Sequence, residues 1–137
     1  MNFRARFMEN EMNRNLHAAL TTPAHLFSHY STQSCMEVCT QCHQTLLHTA
    51  MQYCLPADGK HLAPDHFRLM MNCAEMCQTT ANFQLSDSKY CRKVSSLTAE
   101  ICEECAASCE QLGDMDDCVL ACRQCALCCR GMSCLNS

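Results

Sequence analysis

Ile101-Cys102-Glu103-Glu104-Cys105-Ala106-Ala107-Ser108-Cys109 and Cys118-Val119-Leu120-Ala121-Cys122-Arg123-Gln124-Cys125 carry cysteine at steps of three and four residues. That is the repeat of one face of an α-helix, so each stretch draws a stripe of sulfur along a helix. Outward from these, Cys129 extends the last stripe, while Cys91 and Thr98 extend the other toward its start. Upstream, Cys35, Cys39 and Cys42 begin a stripe that continues through Leu46, Thr49 and Tyr53. Cys73 and Cys77 form a fourth, with His66, Leu69, Thr80 and Gln84 on the same line. Thirteen of the 16 cysteines fall on the stripes. Cys54, Cys128 and Cys134 fall off the arc or beyond a helix end. The opposite faces are polar, with Glu37, Gln41 and Gln44 on the first helix and Glu103, Glu104 and Glu110 on the third, so the stripes face inward.

Breaker residues divide the chain. Ser34-Cys35-Met36-Glu37 has the form of a capping box and opens a first helix that runs to Pro56-Ala57-Asp58-Gly59. Pro64 suits the first turn of a second helix ending near Gln84. Ser86-Asp87-Ser88 caps a third, ending at Gly113. Asp114, Asp116 and Asp117 supply negative charge at the start of a fourth, ended by Gly131. Four helices with short connections predict an all-α, antiparallel up-down four-helix bundle over 34–137. Residues 1–33 are expected to form an additional N-terminal arm packed outside it. Phe3, Phe7, Leu16 and Leu20 there hint at an amphipathic helix, and Thr22-Pro23 at a short piece carrying His25 and His29. Val38, Leu69, Val94 and Ile101 support the same bundle without any metal.

The start MNFRARFMENEMNRN lacks the apolar stretch of a secretion signal, and no run of about 18 apolar residues can cross a membrane. A cytoplasmic protein with reduced thiols is the expectation. A net charge of −4 offers no footprint for nucleic acid.

Replacing core leucine by cysteine forfeits much of the roughly 1.5 to 3 kcal/mol that burying each large aliphatic side chain gives. One or two cysteines are ordinary small core residues; thirteen on four stripes imply a need for sulfur. Stripe neighbours have β-carbons about 5 to 6 Å apart, too far for a disulfide but suited to a bridging metal. Disulfides across helices stay possible under oxidation. Thiolate favours copper(I), zinc or iron–sulfur clusters. Tetrathiolate zinc carries a formal charge of −2, which accumulates in a dry core if repeated, whereas one copper(I) per thiolate is neutral. Met70, Met76 and Met115 add thioethers near the stripes. Cys122 to Cys128 resembles part of a ferredoxin ligand string but lacks its proline-terminated pattern. No thiol is singled out as a nucleophile, so no enzymatic reaction is expected.

CMEVCTQCHQT from Cys35, GKHLAPDHFRLMMNCAEMCQT from Gly59, EICEECAASCEQLGDMDDC from Glu100 and CVLACRQCALCCRGM from Cys118 resemble the cytosolic branch of the copper storage proteins. The resemblance implies a homotetramer of bundles, each filled with several copper(I) ions by its core cysteines, exchanging copper with donor or acceptor proteins. Leu46 and Thr98 stand where that family tends to have cysteine, and Ser88-Lys89-Tyr90 where its third helix starts rich in histidine. The expected ligands are all sixteen cysteines, including Cys54, Cys128 and Cys134, together with His66, placed at a mouth with His61, Cys109 and Cys118. Cys35, Cys91 and Cys129 fall at the opposite end. Two alternatives remain: a general thiolate buffer for zinc, like a metallothionein in role, and a structural module with an inert cysteine core.

Overall fold

A computed structural model describes residues 24–57 and 59–135, and side chains within 33–132. The expectations for Phe3, Phe7, Leu16 and Leu20 lie outside the described residues. Four long helices make up the fold: α1 (Ala24–Thr49), α2 (Pro64–Leu85), α3 (Cys91–Leu112) and α4 (Asp116–Leu135). Each packs against the next in sequence except where α4 closes on α1, which gives an up-down square with no strand among the described residues.

Pro64 occupies the first turn of α2, where its missing N–H costs nothing. Between α2 and α3 the chain turns through Asp87 at φ 51°, a left-handed conformation aspartate tolerates. The Ser88 hydroxyl there accepts from the N–H of Tyr90. Gly113, at φ 79°, ends α3 and donates its N–H to the carbonyl of Cys109. The Lys60 ammonium donates to the Leu112 carbonyl at 2.7 Å and tethers the preceding 3-10 turn, Gly59–Leu62, to the negative end of α3.

Three helix limits differ from the sequence expectation. The capping box at Ser34 is no helix start: α1 begins at Ala24 and passes through it unbroken, so no break falls between residues 33 and 34. Ser34-Cys35-Met36-Glu37 therefore matches a start pattern by composition alone, inside a longer helix. Gly131 does not end α4, which continues to Leu135; Met132 is buried just beyond it and holds the added turn against the core. The third difference is in α1. Its last turn widens into a π-helical segment, Ala50–Cys54, with the Leu55 N–H bonded five residues back to the Ala50 carbonyl. The widening comes just ahead of Pro56, which has no N–H to offer and crowds the carbonyl four residues before it.

That wider turn re-phases the inner face. The line expected through Thr49 and Tyr53 instead runs through Ala50 and Cys54, both wholly buried, while Tyr53 faces out. On α2 the core position falls to Met70 rather than Leu69. Among the described residues, Leu46 and Met70 are the only wholly buried side chains larger than threonine. Ala50, Ala74, Ala81, Ala99, Ala106, Ala121 and Ala126 let the helices approach closely around the sulfur. Outside, Arg130 grips Glu103 through two hydrogen bonds of 3.0 and 3.1 Å, and Arg123 pairs with Glu110, stapling α3 to α4. Both pairs are half exposed, so water and salt screen them and they contribute little to stability.

Candidate metal centre

Four inner stripes put thiols within reach of one another across the bundle axis. At the centre, Cys42, Cys77, Cys102 and Cys125, one from each helix, have sulfurs all within 4.8 Å of one another. Cys77 lies 3.7 Å from Cys102 and 3.6 Å from Cys125. Cys42 also belongs to a second group with Cys73 and Cys122, and Cys73 stands 3.5 Å from Cys102. Cys105 is near enough to shift the acidity of Cys73 and Cys122, as it does that of Cys109, and Cys109 that of Cys118. Beyond Cys118 comes Cys54, close enough to act on it electrostatically.

In the other direction Cys125 reaches Cys39 at 3.5 Å, and Cys39 forms a third group with Cys35 and Cys129. Cys128 packs against the core at this end, near enough to Cys35 for the two thiols to shift each other's acidity. The result is one unbroken ladder of sulfur from Cys128 to Cys118, with Cys54 beside its last rung. Cys54 and Cys128, which fall off an ideal helical wheel, both join it: Cys54 through the π-helical turn, Cys128 because it lies at the α1–α4 contact. Cys91, by contrast, is on the stripe yet apart from the ladder. Its thiol donates to the Phe83 carbonyl at 3.0 Å, and buried Ser95 and Thr98 separate it from Cys102 along α3. Cys134 sits on the last turn of α4, outside the described side chains.

Thr98 accounts for the gap. The Thr80 hydroxyl donates to the Met76 carbonyl at 2.7 Å and pairs with the Thr98 hydroxyl at 2.6 Å, both wholly buried. Toward the Cys35 end, α2 and α3 therefore present oxygen where α1 and α4 present sulfur. Gln84 continues that oxygen face, its amide donating to the Cys35 sulfur at 3.3 Å.

Hydrogen bonds among thiols decide where the first negative charge settles. Cys102 is held far below the ordinary thiol range because Cys125, Cys42, Cys73 and Cys77 all bond to it. For Cys73 the bond to Cys102 acts upward, but bonds from Cys105, Cys122 and Cys42 outweigh it and the thiol is lowered. Around them several thiols are pushed up, Cys125 by Cys102, Cys109 by Cys105 and Cys118 by Cys109, each with burial adding, whereas Cys35 lowers Cys128. The charge belongs to the connected set of thiols rather than to any one of them.

His61 and His66 lie at the Cys118 end and are buried. The Nδ1 of His66 bonds the Ser108 hydroxyl at 2.7 Å, and its Nε2 has no partner. Burial, then the neighbouring His61, lower its pKa, keeping the ring neutral. His61 packs edge-on against Tyr53 at 5.1 Å and likewise has an unpartnered Nε2. His66 is thus in position to offer a lone pair, although it shares no close group of three ligands with cysteine among the described residues. The sequence pointed to His66, with His61 at the same mouth, but not to the buried Ser95 or Ala50.

Comparison with known proteins agrees with this picture. YhjQ, an uncharacterised cysteine-rich protein of Bacillus subtilis, is 30% identical over 105 residues, 74% of this chain and 95% of that protein. The crystal structure of Nmul_A1745 from Nitrosospira multiformis superposes with a TM-score of 0.75 at 54% identity, over 77% of this chain and 96% of that one. The copper storage protein BsCsp3, solved with copper(I) bound, gives 0.70 at 28% identity, over 75% and 98%. The profile of one family, described as copper storage protein, matches residues 28–134, and the chain belongs to that family.

Proposed function

We propose that this protein stores copper(I), holding many ions on the thiolates of its core. The carrying observation is the ladder: from Cys35 and Cys129 through Cys39, Cys125, Cys77 and Cys102 to Cys73 and Cys122, each sulfur lies 3.5 to 4.0 Å from another, a span a two-coordinate copper(I) bridges with little movement. One copper(I) for each thiolate leaves the interior neutral, so ions can stack without accumulating charge. Sharing of Cys42 between two groups fits ions that share sulfurs better than separate tetrahedral zinc sites. The zinc buffer is accordingly not favoured.

The proposed ligands are the ladder cysteines from Cys128 to Cys118 with Cys54, and His66 as a final ligand through its free Nε2. Cys91 and Cys134 are proposed as peripheral. No catalytic step is assigned. A cytoplasmic location with reduced thiols, assembly as a homotetramer, and exchange with copper donor or acceptor proteins complete the proposal, with the segment before Ala24 as a flanking arm. Neither nucleic acid nor a membrane is proposed as a partner; no described helix is long and apolar enough to cross a membrane.

Titration of the reduced protein with copper(I) against a competing chelator, repeated with excess zinc, tests the proposal. Several tightly held equivalents that zinc does not displace are expected. About one equivalent or none contradicts it.

A further inference from the structure

Of the fifteen described cysteines, fourteen are buried and Cys128 alone is part-exposed. It packs against the core, and Cys129 beside it in sequence shares a close thiol group with Cys35, a wholly buried rung. Two consecutive residues of α4 thus flank one sulfur of α1, the first touching solvent and the second facing the core. Gln84 lies on the same rung. Its amide donates to the Cys35 sulfur, which favours that sulfur as thiolate or metal-bound, and its buried carbonyl oxygen has no partner. An orphaned buried oxygen is costly to keep and marks a place where a further polar group is to be received.

The opposite end lacks these features. Cys118 and Cys54 are wholly buried, and the Tyr53–His61 ring contact lies over that end. A pocket of about 440 Å³ lined by His48, Thr49, Asp114, Met115 and Cys118 opens there, but Cys118 itself is wholly buried.

We propose that Cys128 is the exchange thiol of the ladder, the one sulfur that takes copper(I) from, and returns it to, a thiolate donor or acceptor outside the bundle, with Cys35 as the next ligand inward. This rests on the storage function proposed above. Transfer is ligand exchange at constant oxidation state. The Cys128 sulfur loses its proton as its bond to copper(I) forms, and the outgoing donor thiolate takes up a proton as its own bond breaks. The same exchange passes the ion to Cys35, returning a proton to Cys128, and then to Cys39 or Cys129. Rates of such steps depend on access to the attacking thiolate, and among the described ladder cysteines Cys128 alone is part-exposed.

Stopped-flow measurement of copper(I) uptake from a copper–glutathione complex, and of release to a bulky copper(I) chelator, tests this on the full chain. Cys128→Ser is expected to slow both by about tenfold or more while lowering final capacity by no more than about one ion, because access and not storage is removed. Leu127→Ala, an exposed neighbour on α4, controls for local disturbance and should leave both rates unchanged. Mild alkylation of the apo-protein, followed by mass spectrometry, should label Cys128 first and slow uptake to match, giving a readout that needs no variant to fold. Unchanged rates in Cys128→Ser, or first labelling at another described thiol, overturn the proposal. Wild-type protein that takes up no copper removes the storage function itself, and the exchange role with it.

Discussion

The two ends of the sulfur ladder are built from different chemistry. At one, Cys128, Cys35 and Cys129 meet Gln84, and a thiol touches solvent. At the other, Cys109, Cys118 and Cys54 are wholly buried near two buried imidazoles, with Ser108 orienting His66. All four buried polar atoms without partners among the described side chains belong to these regions or to the oxygen face next to them: His61, His66, Gln84 and Ser95. Polar groups are left open where the sulfur runs out. The difference teaches that the ladder has a direction, with an exchangeable end and a terminating end, although the helices around it are nearly symmetric.

The largest expected effect comes from cutting the ladder between its ends. Cys102→Ser with Cys125→Ser removes two of the four central thiols, including the one to which four others bond. Copper capacity should fall by several ions in chelator titration, while the helical circular dichroism of the apo-protein stays nearly intact. Loss of the fold would instead make these cysteines packing groups. Next in size is pH. Copper(I) must displace protons from thiols that are mostly held above their ordinary range, so apparent affinity should drop about tenfold per pH unit for each proton displaced as pH falls. Chelator competition between about pH 8 and about pH 6 measures it. The same raised thiols make the apo-protein less stable in alkali. Their contribution is complete below the unfolded thiol pKa of about 8.5 and is lost as pH rises toward the folded values, so thermal midpoints should decline above that pH.

At the imidazole end, His66→Ala should remove about one copper ion and the hydrogen bond to Ser108, a loss of about 1 kcal/mol in stability, with loading rates unchanged. A slowed rate would move the exchange site to this end. Smallest is Gly131→Ala near the thiol end. Nothing lies within 4 Å of an added β-carbon, so urea unfolding should show a gain of about 0.5–1 kcal/mol.

The fold was legible because cysteine repeats at helical steps and because Pro64, Ser86-Asp87-Ser88 and Gly113 punctuate the chain where helices do stop or start. What escaped were departures from ideal geometry. An even 3.6-residue wheel sends Tyr53 inward and Cys54 outward, and one π-helical turn before Pro56 exchanges them. A wheel also gives Cys91 the same standing as Cys102, but Ser95 and the Thr80–Thr98 pair leave it without a sulfur neighbour. Cys128 looked peripheral because periodicity describes one helix at a time, and its role arises where α4 meets α1. Gly131 and Ser34 are local stop and start signals that tertiary packing overrides.

The central claim is that copper(I) occupies the core as one continuous ladder. Anomalous diffraction at the copper edge, from crystals of fully loaded protein, addresses it most directly. Peaks should lie between the sulfurs of adjacent rungs all the way from Cys35 to Cys118, with none beside Cys91 and the last one within bonding distance of His66. Peaks confined to the surface, or a single isolated site within an otherwise empty core, would contradict it.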